Sequence, residues 1–142
     1  MYTVFGASGH TGRIVAERLV AAGKSVRAVV RDAAKAPRGT EPVVGNLADR
    51  DFVIHALAGA EAAYLIVPPD LKARDMLAQN RAIAESYLEG LRVNRVRHGV
   101  VLSSLGAQHT VSIGPATSNA IAERILRAAP SVLTFLRPPF FM

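Results

Sequence analysis

Three glycines recur at every third position near the beginning of the chain, in the stretch GASGHTG at residues 6–12. A short apolar run precedes them and a helical pattern follows. In this setting the first glycine permits a sharp turn, the second leaves no Cβ between backbone and phosphate, and the third lets helix and strand pack closely. The helix start then offers unpaired N–H groups and a positive dipole end to an anion. The pattern predicts a dinucleotide-binding loop rather than a structural turn.

An arginine stands at the end of the second predicted strand, where NADP and NAD are distinguished. Arg31 lies 19 residues after Gly12, in the stretch VVRD. A guanidinium can make two hydrogen bonds to the 2′-phosphate of NADP, whereas an acidic residue at this place suits the 2′-hydroxyl of NAD. Arg13 could reach the same phosphate from the helix start. Asp32 leaves an alternative open, because it could pair with Arg31 or bind the hydroxyl. We therefore expect NADP, with NAD as the alternative.

Strand and helix patterns alternate along the chain and predict the frame that positions this loop. Apolar strands between amphipathic helices are typical of parallel sheets covered on both faces. We predict a doubly wound parallel sheet, a Rossmann fold, with about six strands in the order 3-2-1-4-5-6 and helices on both faces. The predicted strands are residues 2–5, 25–30, 42–44, 62–67, 96–103 and 131–136, and the predicted helices are residues 11–22, 50–57 (capped by Asp49), 71–90 and 118–129.

Composition excludes several classes of protein. The chain has 142 residues, of which 50% are hydrophobic and 20% charged, so one globular domain is expected. It has no cysteine, and its four histidines lack metal-ligand spacing, so we expect no metal site. The longest charge-free stretch, residues 98–122, is too polar to span a membrane. These features favour a cytoplasmic protein.

The net charge of +6 raises the possibility of nucleic-acid binding. One local basic cluster exists, formed by Arg92, Arg95, Arg97 and His98. No aromatic residues are interleaved with it, although single-stranded nucleic-acid sites need them for stacking. We interpret the cluster as a solvated helix end and do not expect a nucleic-acid partner.

The ordered motifs GASGHTG, VVRD, GNLAD, AAYLIVPP, SSLGA and TFLRPPFFM resemble the NmrA-like branch of the atypical short-chain dehydrogenase/reductase superfamily. The resemblance covers nearly the whole chain and implies that residues 1–142 form an NAD(P)-binding Rossmann domain. Some members are NAD(P)H-dependent reductases of quinones or similar carbonyl compounds. Others, including the regulator that names the branch, bind the dinucleotide as redox sensors and regulate a protein partner. The resemblance implies an NADPH-dependent oxidoreductase acting on a small molecule, with the non-catalytic sensor as the alternative.

The resemblance also assigns residues to the cofactor. Asn46 and Leu47 stand where relatives have Asp-Leu beside the adenine, and Val67 and Pro68 end the fourth strand near the nicotinamide ribose. Ser103 and Ser104 end the fifth strand, where a reductase has its substrate-facing serine. With the loop and the arginines, the expected cofactor-binding residues are Gly6, Ser8, Gly9, His10, Thr11, Gly12, Arg13, Arg31, Asn46, Leu47, Val67, Pro68 and Ser103.

The catalytic pattern of the superfamily is incomplete in this chain. Its reductases commonly use a tyrosine with a lysine four residues later, where the lysine lowers the pKa of the phenol. None of Tyr2, Tyr64 and Tyr87 has such a lysine. His109, in the loop after the fifth strand, and Ser104 remain as catalytic candidates. The sequence therefore leaves open whether the protein is an enzyme.

The chain ends in three bulky apolar residues, Phe140, Phe141 and Met142. Relatives continue into a region that builds the substrate pocket, which we do not expect within these 142 residues. The sequence is therefore expected to be a fragment, a truncated product, or a protomer whose partner covers the apolar end. An exposed apolar end favours association, so a homo-oligomer is one expectation.

Overall fold

The apolar runs of the sequence form one parallel sheet in the computed structural model, which describes residues 1–109 and 116–139. The strand order is β3-β2-β1-β4-β5-β6, which confirms the predicted fold and order. Because the chain crosses over from β3 to β4, a crevice forms where the connections after β1 and β4 diverge, at the carboxyl ends of the strands. The strands are β1 (Tyr2–Phe5), β2 (Val26–Val30), β3 (Glu41–Val44), β4 (Ala62–Ile66), β5 (His98–Leu102) and β6 (Val132–Leu136).

Helices cover both faces of the sheet, as predicted. The four helices are α1 (His10–Ala21), α2 (Arg50–Ala56), α3 (Met76–Asn94) and α4 (Thr117–Leu126), and a short 3₁₀ turn (Ala33–Lys35) follows β2. On one face, α1 packs on β1 and β2, with Ala16 in the same core cluster as Val4 and Ala28. On the other face, α2, α3 and α4 pack around a larger core that includes Phe5 and Tyr87.

The third helix differs most from its predicted bounds, because it begins at Met76 and ends at Asn94 rather than spanning residues 71–90. The carboxylate of Asp70 accepts a hydrogen bond from the Lys72 N–H and so favours a turn instead of a helix. Asp75 then caps α3 by accepting from the Ala78 N–H. At the other end, Arg95 takes a left-handed conformation with φ 51°. The two aspartate side chains and this backbone conformation therefore set the ends of the helix.

From Asn80 onward, one face of α3 packs against the sheet. Ala84, Tyr87 and Leu91 are fully buried. The ring of Tyr87 meets Phe5 edge to face at 4.8 Å, and its hydroxyl donates to the Ile66 carbonyl at the end of β4 (2.8 Å). Asn80, a buried polar residue of α3, donates to the Ser118 hydroxyl and so links α3 to α4.

The outer strands remain open on the α1 side of the sheet. Val100, Val132 and Leu136 are 39%, 66% and 51% exposed, and none of the helices in residues 1–109 and 116–139 covers them. Parallel strands are usually buried on both faces, so this apolar surface is a place where further protein could pack. The three apolar residues at the end of the chain lie outside the described residues, and association stays a prediction.

Replacement of Tyr87 by Phe should lower the free energy of unfolding by about 1 kcal/mol, because one buried hydrogen bond is lost while the ring contact is kept. Urea denaturation of both proteins measures the difference. Tyr2→Phe is the matched control, since the Tyr2 hydroxyl makes no hydrogen bond with the described residues. Equal losses in the two variants would contradict the assignment of this hydrogen bond.

Candidate cofactor-binding site

The glycine loop connects β1 to α1 at the carboxyl edge of the sheet. Gly6 has φ +67°, a conformation that glycine adopts without strain, and a Cβ there would lie 2.7 Å from the Ile66 side chain. The Gly9 N–H donates to the Gly6 carbonyl (2.9 Å) and closes the turn. A Cβ on Gly12 would collide with the Gly6 carbonyl oxygen. The first glycine thus makes the turn and the third allows the close approach of helix and loop.

The beginning of α1 is open to an anion. Its N-cap is Gly9, no side chain caps it, and the first turn contains no acidic residue. The first N–H groups of a helix have no partner within it, so those of His10, Thr11 and Gly12 are available. Together with the helix dipole they suit a phosphate, and the missing Cβ atoms leave room for one. The residues present therefore fit the pyrophosphate of a dinucleotide.

A contact across 53 residues of sequence supports this helix start. The Tyr64 hydroxyl, on β4, donates to the Thr11 hydroxyl (3.0 Å). Burial raises the pKa of Tyr64, and the hydrogen bond to Thr11 opposes that shift only in part. Apart from a tyrosine within an apolar strand, no feature of the sequence indicated this contact. Tyr64 therefore serves the loop rather than acting as an exposed phenol.

The two arginines expected to bind NADP both lie beside the loop after β2. Arg31 is the first residue after that strand; it is exposed and makes no hydrogen bond or ion pair with the described residues. Arg13 pairs with Glu17 at 3.7 Å and donates to the Lys35 carbonyl at 2.9 Å, so α1 is tied to the 3₁₀ turn.

Asp32 does not form the salt bridge that the sequence left open. Its carboxylate accepts from the Ala34 N–H (3.0 Å) and caps the 3₁₀ turn. A groove between this turn and α1 is lined by Arg13, Lys35 and Arg38, with Glu17 as its acidic member. Positive charge therefore predominates beside the end of β2, which suits a phosphate better than a hydroxyl.

The residues after β3 and β4 reach the same edge. The Asn46 side-chain oxygen accepts from the Ala48 N–H (3.0 Å), so the acceptor expected beside the adenine already belongs to a turn. Leu47 packs partly against the core. Val67 is buried and Pro68 is exposed. Their contacts with a cofactor stay predictions.

The two serines after β5 differ in environment. Ser103 is buried, and its hydroxyl donates to Glu123 of α4 at 2.6 Å, so this side chain faces the protein interior and not a substrate. Ser104 is partly exposed, and its hydroxyl makes a long hydrogen bond of 3.3 Å to the Leu105 carbonyl. Of the pair, Ser104 is the one available to a ligand. Sequence spacing could not distinguish them, because Glu123 lies 20 residues away.

Glu123 forms a buried ion pair that no motif predicted. Arg137, which follows β6, donates to both of its carboxylate oxygens, at 2.8 and 2.6 Å, and Arg127 lies at 3.3 Å. Burial raises the pKa of Glu123, but the hydrogen bonds from Arg137 and Ser103 outweigh it, and the net pKa lies below the usual value. The carboxylate is therefore charged at neutral pH.

No tyrosine phenol stands open at this edge of the described structure. Tyr2 begins β1 at the opposite edge. Tyr87 is fully buried, and burial raises its pKa, although its hydrogen bond to Ile66 opposes the shift. His109 is exposed, and its backbone N–H donates to the Gly106 carbonyl. Residues 110–115, which follow it, lie outside the described part.

Other chemistry has no visible site in the described residues. Among them, no group of three or more His, Asp or Glu side chains is placed to hold a metal ion. Within residues 1–109 and 116–139, no helix is both long and apolar enough to cross a membrane.

The geometry agrees with the match to a protein family. Residues 6–142 match the family model described as NAD(P)H-binding. The chain belongs to this family. NAD(P)H binding is thereby established as its family property, and the resemblance drawn from the motifs is confirmed. No curated protein matches the chain in sequence.

Solved structures of this type share the fold. A short-chain dehydrogenase/reductase superfamily protein from Agrobacterium tumefaciens with bound NAD is 24% identical, with a TM-score of 0.81 over 96% of this chain and 48% of its own. The Citrobacter sp. triphenylmethane reductase complexed with NADP(H) is 24% identical, with a TM-score of 0.80 over 99% and 50%. An NADPH-dependent quinone oxidoreductase from Escherichia coli, complexed with NADPH, is 26% identical, with a TM-score of 0.75 over 96% and 48%. The chain spans about half the length of these proteins.

Gly12→Ala should raise the dissociation constant for NADPH at least about tenfold, because the new methyl group must displace the Gly6 carbonyl and with it the loop. Isothermal titration calorimetry measures this. Gly23→Ala is the control: Gly23 has φ +75° and open space around it, so alanine there should cost about 1 kcal/mol of stability without affecting the cofactor. Wild-type affinity in Gly12→Ala would show that the close approach is not needed for binding.

The lowered pKa of Glu123 predicts a stability that depends on acid. A carboxyl whose pKa is lower in the folded than in the unfolded protein contributes fully above its unfolded value, and the contribution is lost as the pH falls through the folded value. The unfolding free energy should therefore fall below about pH 4.5, the ordinary value for this group. In Glu123→Gln the acid loss should be smaller, as denaturant titrations at several pH values can measure. If the unfolding free energies of the wild type and Glu123→Gln fall in parallel with pH, Glu123 is not the source of the acid dependence.

Proposed function

We propose that this chain is the cofactor-binding part of a reductase that uses NADPH to reduce a quinone or a similar carbonyl compound. The observation that carries the proposal is the glycine-built start of α1 beside Arg31. Among the described residues, no side chain caps this helix start and none pairs with Arg31. The E. coli quinone oxidoreductase, which was solved with NADPH, supports the choice of cofactor and of substrate class. Because the chain spans half the length of that protein, the activity of the whole protein is part of the proposal.

Each part of the edge has a role in this reading. The N–H groups at the start of α1 bind the pyrophosphate, and Ser8 and Gly9 border it. Arg31 binds the 2′-phosphate, with Arg13 and Lys35 adding positive charge. Asn46 and Leu47 flank the adenine. The backbone at Val67 and Pro68 lies along the nicotinamide ribose.

When bound, NADPH supplies a hydride to the carbonyl or quinone carbon. The chain's own residues then orient the acceptor and provide a proton. Ser104 donates a hydrogen bond to the acceptor oxygen in this proposal, which the exposure of its hydroxyl after β5 supports. His109 is the proton donor in this proposal by residue type and position, since imidazole is a common general acid. A quinone can also take its proton from water, so the missing Tyr–Lys pair does not exclude reduction.

The alternative is a non-catalytic redox sensor that binds the dinucleotide and regulates a partner protein. The positions of the tyrosines favour it. Tyr64 is bonded to Thr11, Tyr87 is buried against Ile66, and Tyr2 lies at the other edge of the sheet. A reductase that depends on a tyrosine proton donor could not use any of them. Turnover of a quinone with NADPH distinguishes the two functions.

Arg31→Ala should weaken NADPH binding about tenfold or more while leaving NADH binding unchanged, because only NADPH has the 2′-phosphate. Calorimetric titration with each nucleotide measures both constants. Arg97→Ala is the matched control, since Arg97 is also exposed and unpaired among the described residues but precedes β5 at the opposite edge. If both nucleotides lose affinity equally, Arg31 does not read the 2′-phosphate.

The reductase itself is tested with a simple benzoquinone and NADPH, followed by the loss of nicotinamide absorbance. We expect turnover in the wild type and at least about tenfold slower turnover in His109→Ala. Tight NADPH binding without turnover would contradict the reductase and favour the redox sensor.

A further inference from the structure

Glu123 is the only charged side chain that is fully buried in the described part of the chain. It lies on α4 with 1% of its surface exposed. Its carboxylate takes hydrogen bonds from Ser103 at the end of β5 and from Arg137 after β6. One anion thus joins a helix to the carboxyl ends of two strands.

The same two strand ends are paired beyond the sheet. The Ser103 N–H donates to the Leu136 carbonyl (2.7 Å), and the Leu105 N–H donates to the Pro138 carbonyl (2.9 Å). Arg137 lies between these two acceptors in sequence, and its guanidinium is held by Glu123. Loss of the ion pair would therefore free the side chain of Arg137. The backbone around it carries the carbonyls that accept from Ser103 and Leu105, so these two hydrogen bonds would weaken. Ser104, the accessible serine, lies between the two fixed amides.

Stability alone is a poor reason for this arrangement. An ion pair with a buried carboxylate often contributes no more than well-packed apolar side chains of similar volume, because the carboxylate loses its hydration. The rest of α4 already packs through apolar residues, since Ala120, Ala122 and Leu126 are buried. The ion pair instead gives direction, because a bidentate guanidinium–carboxylate pair fixes both partners in one plane. It lies at the carboxyl edge, where ligands of such sheets bind.

We propose that Glu123 is a positioning residue that acts through Ser103 and Arg137 to fix residues 103–105 against the nicotinamide end of the cofactor. This role rests on the proposed function, because it requires NADPH to lie along this edge. The phosphate loop is on a different part of the edge, between β1 and α1, and shares none of these contacts. Disturbing Glu123 should therefore affect the nicotinamide end of the bound cofactor and spare the phosphate end.

The test compares Glu123→Gln with the wild type in two measurements. Amide hydrogen exchange in the free protein should become at least about tenfold faster at Leu105 and Ser103 and stay unchanged at Gly9 and Arg13. With NADPH bound, the nicotinamide fluorescence should shift toward that of free NADPH, while the dissociation constant changes by no more than about twofold.

Two controls each remove one charge. Glu89→Gln breaks the ion pair of Glu89 with Arg92, which lies near the far end of α3, and should alter neither measurement. Arg127→Gln removes the exposed partner of Glu123 at 3.3 Å but keeps Ser103 and Arg137, and should also leave both unchanged. If Glu123→Gln does not fold, Ser103→Ala replaces it, because that variant removes one hydrogen bond and keeps the ion pair. It should shift both measurements in the same direction by a smaller amount.

The outcomes separate the inference from the proposed function. Unchanged amide exchange in the test variant, or faster exchange with unaltered nicotinamide fluorescence, would overturn the positioning role while NADPH binding stands. If NADPH affinity falls together with the change in nicotinamide fluorescence, the positioning role is also overturned, because the substitution would then affect the whole binding site. A wild-type protein that does not bind NADPH would refute the proposed function and this role with it.

Discussion

The architecture of the candidate site depends on one close approach, that of Gly12 to the Gly6 carbonyl. No other residue type has room there, because a Cβ on Gly12 would collide with that oxygen. The approach brings the start of α1 against the end of β1, so the unpaired N–H groups of the helix point into the crevice. Tyr64 stabilises the arrangement from β4 through its hydrogen bond to Thr11. A turn, a helix start and a neighbouring strand are thus combined into one anion-binding surface.

Two arginines at the carboxyl edge of the sheet, Arg31 and Arg137, have opposite environments. Arg31 has no partner among the described residues and is exposed, so its charge is available to a ligand. Arg137 is bonded through both carboxylate oxygens of Glu123, so its charge is already neutralised. Arg31 keeps its hydration in the free protein, whereas the ion pair of Arg137 is part of the folded framework. Exposure and pairing thus distinguish Arg31, for which we propose a binding role, from Arg137, which is structural.

Local sequence chemistry determined much of the fold and the loop. The apolar runs predicted all six strands, and the alternation of strands with helices predicted their order, since short right-handed crossovers give a doubly wound parallel sheet. Asp49 was expected to cap the second helix, and it does so by accepting from the Asp51 and Phe52 N–H groups. Helix bounds were less accurate, because turns such as that at Asp70 compete with the apolar pattern.

The sequence by itself therefore determined the sheet, the phosphate loop and the arginine that follows β2. Each depends on residues adjacent in the chain, whose backbone preferences and periodicity can be read directly. Only the tertiary structure decided that Ser103 faces Glu123, that Ser104 is the accessible serine, and that Tyr64 bonds Thr11. Those partners are 20 and 53 residues apart, and their meeting depends on which face of a strand each side chain occupies and which helix covers that face. Such pairings follow from packing, which no short stretch of sequence specifies.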